Sequence, residues 1–236
     1  MERTENPLKL QIAYYRARAR EYDEWFFREG RYDRGEEHRK AWLAEVAQVQ
    51  AALSQAQPRG KVLELACGTG LWTEQLLRFS GELTAVDASP EMLDQCRKRL
   101  GSGTVEFINA DLFEWRPRTT YDFVFFGFWL SHIPAGRFRA FWEFVAKALN
   151  PGGSVFFVDS LFTASSTSTD HKPIDHSGTV ERKLNDGRTF EIVKIFYEPS
   201  ALREQLVQLG WEGSVCPTAQ FFLHGHVWRA EAGHGG

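Results

Sequence analysis

The feature that most constrains this chain is a short apolar run that leads into a glycine turn. Residues 62–65 are aliphatic except for Glu64, and an apolar run of this kind is typical of a parallel strand buried on both faces. Gly68 and Gly70 follow, and a helical pattern begins at Leu71. Glycines let a ligand approach the backbone, and the start of the new helix presents free N–H groups. The stretch therefore predicts a strand, a ligand-binding turn and a helix.

Two common glycine motifs are excluded by the residues around this turn. The dinucleotide fingerprint G-x-G-x-x-G requires a third glycine where Thr73 stands. A phosphate-binding loop of the Walker type requires a Gly-Lys-Ser/Thr step, which the turn lacks. What remains is E-x-A-C-G-T-G, in which Glu64 lies near the strand end and Gly68 and Gly70 form the turn. A turn without any ligand is the alternative reading of the two glycines alone.

Strands and helices alternate between residues 61 and 160. Short apolar runs bounded by turn residues predict strands, and amphipathic segments between them predict helices. The predicted strands are 62–65, 82–87, 105–109, 121–126 and 154–159. A helix is predicted at 137–149, before the fifth of these strands. This alternation predicts an α/β fold with a parallel sheet and right-handed crossovers, in which a ligand binds beyond the carboxyl ends of the strands.

Two carboxylates stand where the second and third of these strands end. Asp87 closes the second strand, and a carboxylate there can accept hydrogen bonds from both hydroxyl groups of a ribose. The next helix begins with Ser89 as its N-cap and Pro90 in its first turn. Asp111 follows the third strand in an Ala-Asp-Leu step. An ordinary loop carboxylate is the alternative for Asp111.

These motifs together resemble those of the class I S-adenosylmethionine (SAM)-dependent methyltransferases. The resemblance is carried by E-x-A-C-G-T-G, by the acid after the second strand, by A-D-L and by the later step L-x-P-G-G-x-V-x-F. It implies a Rossmann-like α/β fold: a mostly parallel seven-stranded sheet with an antiparallel last strand, an N-terminal helical cap and an added β-hairpin. It also implies SAM as the cofactor, S-adenosylhomocysteine (SAH) as its product, and no metal.

The same resemblance assigns individual residues to the cofactor. Glu64 is expected near the methionine amine, Asp87 at the ribose and Asp111 at the adenine amino group. The full set of expected cofactor-binding residues is Tyr15, Tyr22, Glu64, Ala66, Gly68, Gly70, Trp72, Asp87, Ala88, Met92, Asp111, Leu112, Phe126 and Gly127.

The chain before the first strand is predicted to form a helical cap. Residues 8–27 predict one helix, residues 28–40 a charged and mobile connection, and residues 41–55 a second helix. The pattern Tyr-Tyr-x-x-x-Ala-x-x-Tyr-Asp resembles the cap helix of many small-molecule methyltransferases, which implies that Tyr15 and Tyr22 belong to a lid. An amphipathic surface helix without a binding role is the alternative.

The domain boundary is expected after the cap, between residues 1–57 and a methyltransferase domain over residues 58–236. A hairpin insertion is predicted near 179–196, with a three-residue turn at 185–187. Residues 163–169 are Ser/Thr-rich, and residues 170–178 contain His171 and His176 without regular spacing, so a flexible loop is favoured there over a metal site. The remaining predicted elements are a helix at 200–209 and a final antiparallel strand pair at 211–216 and 221–229.

The register of the hairpin places two cations on one apolar face. A three-residue turn pairs Arg182 with Phe190, and Lys194 lies on the same face because side chains alternate along a strand. Burying an unpaired charge costs on the order of several kcal/mol, so the two cations predict an anionic acceptor. The forked guanidinium of Arg182 suits a carboxylate or a phosphonate. The alternative is that an acid such as Asp159 pairs with them, or that they reach water.

A narrower resemblance covers most of the chain. It is carried by residues 14–23, 126–134, 137–142 and 186–194, which look like the phosphonate O-methyltransferase of dehydrophos biosynthesis. A similar branch methylates carboxylates, including fatty acids. The resemblance implies O-methylation of a small anionic acceptor to a methyl ester, with Trp129, Arg182 and Lys194 contacting the acceptor and His132 either orienting it or acting as a base. The alternatives are O-methylation of a neutral natural-product hydroxyl and a SAM-binding partner protein without catalysis.

Composition excludes several other classes of protein. The net charge is −3 without a block of like charges, which argues against a nucleic-acid partner. The three cysteines, Cys67, Cys96 and Cys216, are scattered, which suits reduced thiols in a cytoplasm. The polar start is unlike a signal peptide, and no apolar run predicts a membrane span. We therefore expect a cytoplasmic protein, as a monomer or homodimer, and the narrower resemblance implies a role in natural-product biosynthesis.

Overall fold

A central seven-stranded sheet organises the chain in a computed structural model, which describes residues 7–101 and 105–230. The helices are α1 Pro7–Arg18, α2 Tyr22–Phe27, α3 Glu36–Ala56, α4 Thr73–Leu76, α5 Pro90–Leu100, α6 Phe138–Ala148 and α7 Pro199–Gln208. The strands are β1 Lys61–Leu65, β2 Glu82–Asp87, β3 Val105–Asn109, β4 Tyr121–Gly127, β5 Leu149–Ser160, β6 Thr179–Lys183, β7 Thr189–Val193, β8 Trp211–Pro217 and β9 Phe222–Arg229. In the described part of the chain, no helix combines the length and the hydropathy needed to cross a membrane.

The sheet has the strand order β3-β2-β1-β4-β5-β9-β8. The neighbouring strands from β3 to β5 in this order pair in parallel. β9, the last strand in the chain, runs antiparallel to both β5 and β8. The run 155–158 in β5 is buried throughout, as a central strand covered on both faces requires. The predicted fold class is confirmed, including the N-terminal helices and the separate hairpin β6–β7. Since β1, β2 and β4 are parallel, the segments that follow them meet at one edge of the sheet.

Aromatic side chains fill much of the core. Phe126 of β4 stacks on Phe157 of β5 with 5.5 Å between ring centroids, and Trp142 of α6 packs against Trp211 of β8 at 5.0 Å. Such pairs contribute about 0.5–1.5 kcal/mol each beyond the burial of their area. The core on this face of the sheet is therefore built from rings on both the sheet and its covering helix.

The predicted helix over residues 8–27 is broken in the structure. α1 ends at Arg18 and α2 begins at Tyr22. In one continuous helix, Tyr15 and Tyr22 would be about 10.5 Å apart along the axis, at 1.5 Å per residue. The break brings their ring centroids to 6.4 Å, so both tyrosines reach the same part of the cap. The single-helix prediction was wrong because this packing overrides the helical propensity of the intervening residues.

The predicted mobile connection over residues 28–40 is also wrong. A 3₁₀ turn occupies Gly30–Tyr32, and α3 begins at Glu36 rather than at residue 41. Arg28, fully buried, donates to the carbonyl oxygens of Ser165 and Ser166 at 3.0 Å. The charges that predicted mobility instead tie this segment to the Ser/Thr-rich loop, because carbonyl oxygens there accept from its guanidinium groups.

The hairpin has the predicted register. Arg182 pairs with Phe190, and Gly187 in the turn has a φ of +91° that favours glycine. The hairpin packs on α1, where Tyr14 contacts Phe190 at 5.6 Å between centroids and is completely buried. This contact places β6 and β7 over the cap helix and beside the edge of the sheet where the strands end.

Candidate active site

The turn between β1 and α4 exposes its backbone to a cavity. Gly68 has a φ of +55°, and a Cβ added there would meet nothing within 4 Å. Gly70, with a φ of +89°, differs because an added Cβ would lie 2.6 Å from Cys96 Sγ on α5. Gly70 therefore permits close packing of the turn on α5, and it does not line the cavities described below. The contact of Gly70 with a cofactor stays a prediction, and the structure gives this glycine a packing role against α5.

A cavity of about 700 Å³ lies at the carboxyl ends of β1, β2 and β4, and we call it the central cavity. The predicted cofactor residues that line it are Tyr15, Tyr22, Ala66, Gly68, Asp87, Ala88, Met92, Asp111, Leu112 and Gly127. Ala66 and Phe128, which also lines it, have φ values of +55° and +56°. Backbone of this kind is uncommon for residues other than glycine and concentrates at functional sites.

Asp87 is held by the backbone at the end of β2. Its Oδ2 accepts from Gly68 N at 2.9 Å and its Oδ1 accepts from Ser89 N at 2.8 Å. Burial raises the pKa of this carboxyl to about 6, although the backbone donors act in the opposite direction. The carboxylate is thus fixed in orientation at the cavity wall, where further donors would favour its charged form.

A smaller cavity of about 320 Å³, which we call the glycine-loop cavity, contains two polar atoms without a partner. Glu64 is 1% exposed, and neither its Oε2 nor Trp72 Nε1 has a hydrogen-bond partner among the described residues. Burial raises the pKa of Glu64 well above its usual range. One orphaned acceptor and one orphaned donor in the same small cavity match a ligand that carries both an ammonium and a carboxylate.

A third cavity, of about 540 Å³, is lined by cations, and we call it the basic cavity. Arg18, Arg182 and Lys194 line it, whereas no Asp or Glu is among its described lining residues. Each of these cationic residues is at most 9% exposed. The predicted face of the hairpin therefore does point into a cavity, with Arg18 added from α1.

Lys194 is paired, as one of the sequence alternatives anticipated. Its Nζ donates to Asp159 Oδ1 at 3.2 Å and to Ser131 Oγ at 2.7 Å. Asp159 is 1% exposed and also accepts from Ser131 N at 2.8 Å. Lys194 therefore contributes to a buried network behind the basic cavity, whereas Arg182 has no ion pair with an acid among the residues that the structure describes.

His132 is neutral and its two ring nitrogens are both engaged. Its Nδ1–H donates to the carbonyl oxygen of Val193 at 2.7 Å, so Nε2 is the acceptor for the hydroxyl of Tyr15 at 2.7 Å. Burial, together with the nearby charge of Lys194, lowers the pKa of His132 to about 3. The ring therefore fixes the direction of the Tyr15 O–H bond, and Nε2 has no free lone pair for another group.

The central and basic cavities share part of their walls. The residues that line both are Tyr15, Tyr22, Phe128 and His132. Tyr15 and Tyr22 come from the cap, whereas Phe128 and His132 come from the loop after β4. The two cavities are therefore adjacent, and residues of the cap helices and of the loop after β4 form the junction between them.

Comparisons with known proteins agree with this geometry. A family described as a methyltransferase domain matches residues 62–153. A structure of DhpI in complex with SAH is 38% identical, with 97% of this chain and 99% of that chain covered and a TM-score of 0.78. A DhpI complex with SAM and HEP matches with the same identity and TM-score.

The chain belongs to the class I SAM-dependent methyltransferases. The identity and the near-complete coverage of DhpI decide this, because they extend far beyond the cofactor motifs. Curated relatives match over shorter stretches. Trans-aconitate 2-methyltransferase of Acidovorax sp. (strain JS42) is 36% identical over 105 residues, or 44% of this chain and 39% of that protein. Malonyl-[acyl-carrier protein] O-methyltransferase of Anoxybacillus flavithermus is 36% identical over 69 residues, or 28% and 27%. The chain thus spans less than half the length of these curated relatives.

The residues of this methyltransferase fit SAM. The orphaned atoms of Glu64 and Trp72 match the ammonium and carboxylate of the methionine head, and Asp87 suits the ribose hydroxyls. Asp111 and Leu112, which were expected at the adenine, line the central cavity at the end of β3. Among the residues described, no cluster of His, Cys, Asp and Glu is placed to hold a metal ion.

Two predicted contacts of the methyltransferase lie elsewhere. Phe126 is completely buried against Phe157 in the core and does not line the cavities, because the parity of β4 turns its side chain toward α6. Trp129, predicted at the acceptor, lines the central cavity and packs against Phe113 at 5.6 Å. Trp129, in the loop after β4, therefore lies at the central cavity and not at the basic cavity.

Sequence reasoning missed residues that the methyltransferase brings to its cavities. Arg18 lines the basic cavity, and Ser89, Phe113 and Phe128 line the central one. A signal for Arg18 existed, because it lies three residues after Tyr15 on α1 and so shares its helical face. Phe128 gave no such signal, since its position follows from the backbone turn after β4.

Proposed function

We propose that this methyltransferase transfers the methyl group of SAM to an oxygen of a small anionic acceptor, a phosphonate or a carboxylate, giving a methyl ester and SAH. The observation that carries the proposal is the basic cavity. It adjoins the central cavity at Tyr15 and His132, and it is lined by buried cations without a lining carboxylate in the described part of the chain.

Arg182 is the central anion-binding group of the proposal. Its guanidinium is 9% exposed, and burial lowers its pKa, which reflects the cost of holding this charge away from water. An acceptor carboxylate or phosphonate would take two parallel hydrogen bonds from the guanidinium fork. The sequence resemblance to phosphonate and carboxylate O-methyltransferases supports the same acceptor class, as do the names of the relatives that act on trans-aconitate and malonyl-[acyl-carrier protein].

The lining of the basic cavity is largely polar, which favours a small polar acid over a long fatty acid. The volume of the cavity is about 540 Å³, and Trp25, Tyr32, Ser166 and Thr167 are among its lining residues. Trp25 Nε1 donates to the carbonyl oxygen of Ser166 at 3.0 Å, which ties the cap to the Ser/Thr-rich loop. We therefore expect small, polar acids to be the better acceptors.

The protein's own groups would act by positioning. SAM, when bound, supplies an activated methyl group on a sulfonium. An ionised acceptor oxygen needs no base, so the protein must align it at the junction and exclude water. Arg182 would orient the acceptor, and Tyr15 and Tyr22 would cover the junction. His132 would hold the Tyr15 hydroxyl, because its Nδ1–H is fixed by Val193 and its Nε2 accepts from Tyr15.

This arrangement disfavours the neutral hydroxyl acceptor. A hydroxyl would need a base, whereas the lone pair of His132 Nε2 is already used by Tyr15 and burial holds the pKa of His132 at about 3. Methylation of an anion also removes one negative charge from it. The ester is then held less strongly by Arg182, which favours its release.

The test is a methyl-transfer assay with labelled SAM over alkyl phosphonates, fatty acids of increasing length and neutral phenols. Short acids are expected to be methylated, and phenols are not. Arg182→Gln should raise KM for the best acid about tenfold or more and leave SAM affinity unchanged. Arg188→Gln is the matched control, because Arg188 lies on the same hairpin, is exposed and pairs with Asp186. Equal losses for charged and neutral acceptors would contradict the proposal, and an absence of turnover with every acceptor would favour a SAM-binding partner protein.

A further inference from the structure

Two buried guanidinium groups face the basic cavity with only neutral partners. Arg18, at the end of α1, is 7% exposed, and Arg182, on β6, is 9% exposed. In the described chain, Arg18 Nη2 donates to the hydroxyl of Tyr32 at 3.2 Å, and Arg182 Nη1 donates to His171 Nδ1 at 3.5 Å. Each guanidinium has five N–H donors, so most of the donors of both groups remain available to a ligand.

Other buried cations near this cavity are satisfied in a different way. Lys194 is paired with Asp159 at 3.2 Å. Arg28 donates to the carbonyl oxygens of Trp25, Ser165 and Ser166 at 3.0–3.3 Å. Among the described residues, Arg18 and Arg182 therefore have neither a paired carboxylate, as Lys194 has, nor as many hydrogen-bond acceptors as Arg28.

The tyrosines around Arg18 do not replace an anion. The Arg18 guanidinium lies 5.5, 5.0 and 5.8 Å from the ring centroids of Tyr14, Tyr22 and Tyr32. Cation–π contacts of this kind are worth about 2 kcal/mol when desolvated. They leave the hydrogen-bonding donors unused, however, and Arg18 Nε is buried without a partner among the described residues. The tyrosines thus stabilise the position of the charge and leave its donors for a ligand.

We infer that Arg18 and Arg182 together recognise an acceptor that carries two negative charges, and that Arg18 is the residue that distinguishes such a dianion from a monoanion. The inference rests on the proposed function and narrows its acceptor class. Two like charges that line one cavity repel each other, and a ligand with two negative charges relieves that repulsion and supplies acceptors to both forks. A fatty acid, with one carboxylate, satisfies only one of them.

The dianion has two chemical sources, which an experiment can separate. In a phosphonate both charges lie on one tetrahedral group, and in a dicarboxylate they lie on two planar groups. Methylation forms one O–CH₃ bond and breaks the sulfonium–CH₃ bond, so the product is a monoanion in either case. One guanidinium then loses its counter-charge, which lowers the affinity for the product relative to the acceptor.

The experiment compares pairs of ligands of similar shape that differ by one charge. Propylphosphonate is compared with propylsulfonate above the second ionisation of the phosphonate, and succinate with its monoamide. Binding is measured by calorimetry in the presence of SAH, so the readout does not depend on turnover. Wild-type protein should prefer one of the two dianions over its monoanion by about tenfold or more, and the preferred pair identifies the source.

Arg18→Gln should remove most of this preference while binding the monoanion nearly as well as wild type. Arg18→Lys should restore it in part, because the charge is kept. Arg20→Gln is the matched control, since Arg20 is two residues away and exposed, and it should keep the full preference. Should Arg18→Gln not fold, as judged by thermal unfolding, Arg182→Gln tested on the same ligand pairs should lose the preference equally.

Equal weakening of dianion and monoanion by Arg18→Gln would overturn the inference and make Arg18 a structural partner of the tyrosines. A wild-type protein without a charge preference would overturn it as well. Either result, together with methylation of small acids, would leave the proposed function intact. Methylation of neutral hydroxyls alone would instead refute the proposed function.

Discussion

At the scale of single residues, Asp87 is expected to link proton binding to cofactor binding. Burial raises the pKa of its carboxyl to about 6, above the ordinary 3.8. Ribose hydroxyls would donate to the charged form and so lower this pKa when SAM binds. Binding is therefore expected to release a proton below pH 6, so SAM affinity should rise as the pH increases to about 6 and level off above it.

Calorimetry of SAM binding between pH 5 and 8, in buffers of different ionisation enthalpy, measures both the affinity and the released proton. Asp87→Asn should lower the affinity about ten- to a hundredfold above pH 6, as expected for lost hydrogen bonds to a charged group, and should flatten the pH dependence. A wild-type affinity that does not change across this range would contradict the ribose assignment.

At the scale of elements, the segment between α2 and α3 is interlocked with the Ser/Thr-rich loop. Arg28 donates to the carbonyl oxygens of Ser165 and Ser166, and Thr169 N donates to the carbonyl oxygen of Arg31 at 3.0 Å. Arg31 is also ion-paired with Asp170 at 3.1 Å. These contacts hold the loop that supplies Ser166, Thr167 and His171 to the wall of the basic cavity.

Arg28→Met should increase the mobility of the Ser/Thr-rich loop where it lines the basic cavity. The change leaves buried carbonyl oxygens unpaired, each at a cost of about 1–3 kcal/mol, so the loop is expected to exchange its amide protons faster and KM for the acceptor should rise. SAM affinity should be unchanged, because Arg28 does not line the central cavity. Hydrogen exchange over residues 163–171 and steady-state kinetics measure the two effects.

Arg34→Met provides the control for this prediction. Arg34 also donates to the loop, to the carbonyl oxygens of Ala164 and Thr167 at 3.5 and 3.3 Å, but it is exposed, so water can replace its bonds. Arg34→Met should therefore change the hydrogen exchange of the loop and the KM for the acceptor much less than Arg28→Met does. Similar effects of the two variants, or a loss of SAM affinity in Arg28→Met, would contradict this prediction. The contacts between the α2–α3 segment and the Ser/Thr-rich loop would then not act specifically on the basic cavity.

At the scale of the whole molecule, a buried histidine and a half-buried carboxyl group at the cavities give stability opposite dependences on pH. Burial lowers the pKa of His132 from 6.5 to about 3, so its contribution to stability is complete above pH 6.5 and is lost as the pH falls toward 3. Asp87 has the opposite sign, since its raised pKa makes its contribution complete below 3.8 and lost as the pH rises through about 6.

His132→Gln isolates the first of these two effects. Wild-type protein is expected to lose stability relative to the variant by about 1.4 kcal/mol per pH unit between pH 6 and 4, where the unfolded histidine binds a proton and the folded one does not. Urea unfolding of both proteins across this range measures the difference. A constant difference between them would mean that His132 is protonated in the folded protein and therefore does not accept from Tyr15.

Much of the cofactor site followed from local sequence. The strand before Gly68, the acid at the end of β2 and the N-cap Ser89, which accepts from Met92 N at 3.1 Å, each depend on a few neighbouring residues. Strand parity likewise predicted that Arg182 pairs with Phe190. Periodicity, capping and turn geometry act over short distances, so the sequence contains their full signal.

The acceptor side of the protein depended on tertiary structure. Lys194 was expected to bind the acceptor, with pairing to an acid such as Asp159 as the alternative, and only the folded chain, which places Asp159 3.2 Å from Lys194, distinguishes the two. Arg18 was not predicted at all, because its place beside Arg182 requires α1 to end there and the hairpin to pack over it. Residue patterns determine which face a side chain takes, whereas the neutralisation of a buried charge depends on groups that only the folded chain brings near it.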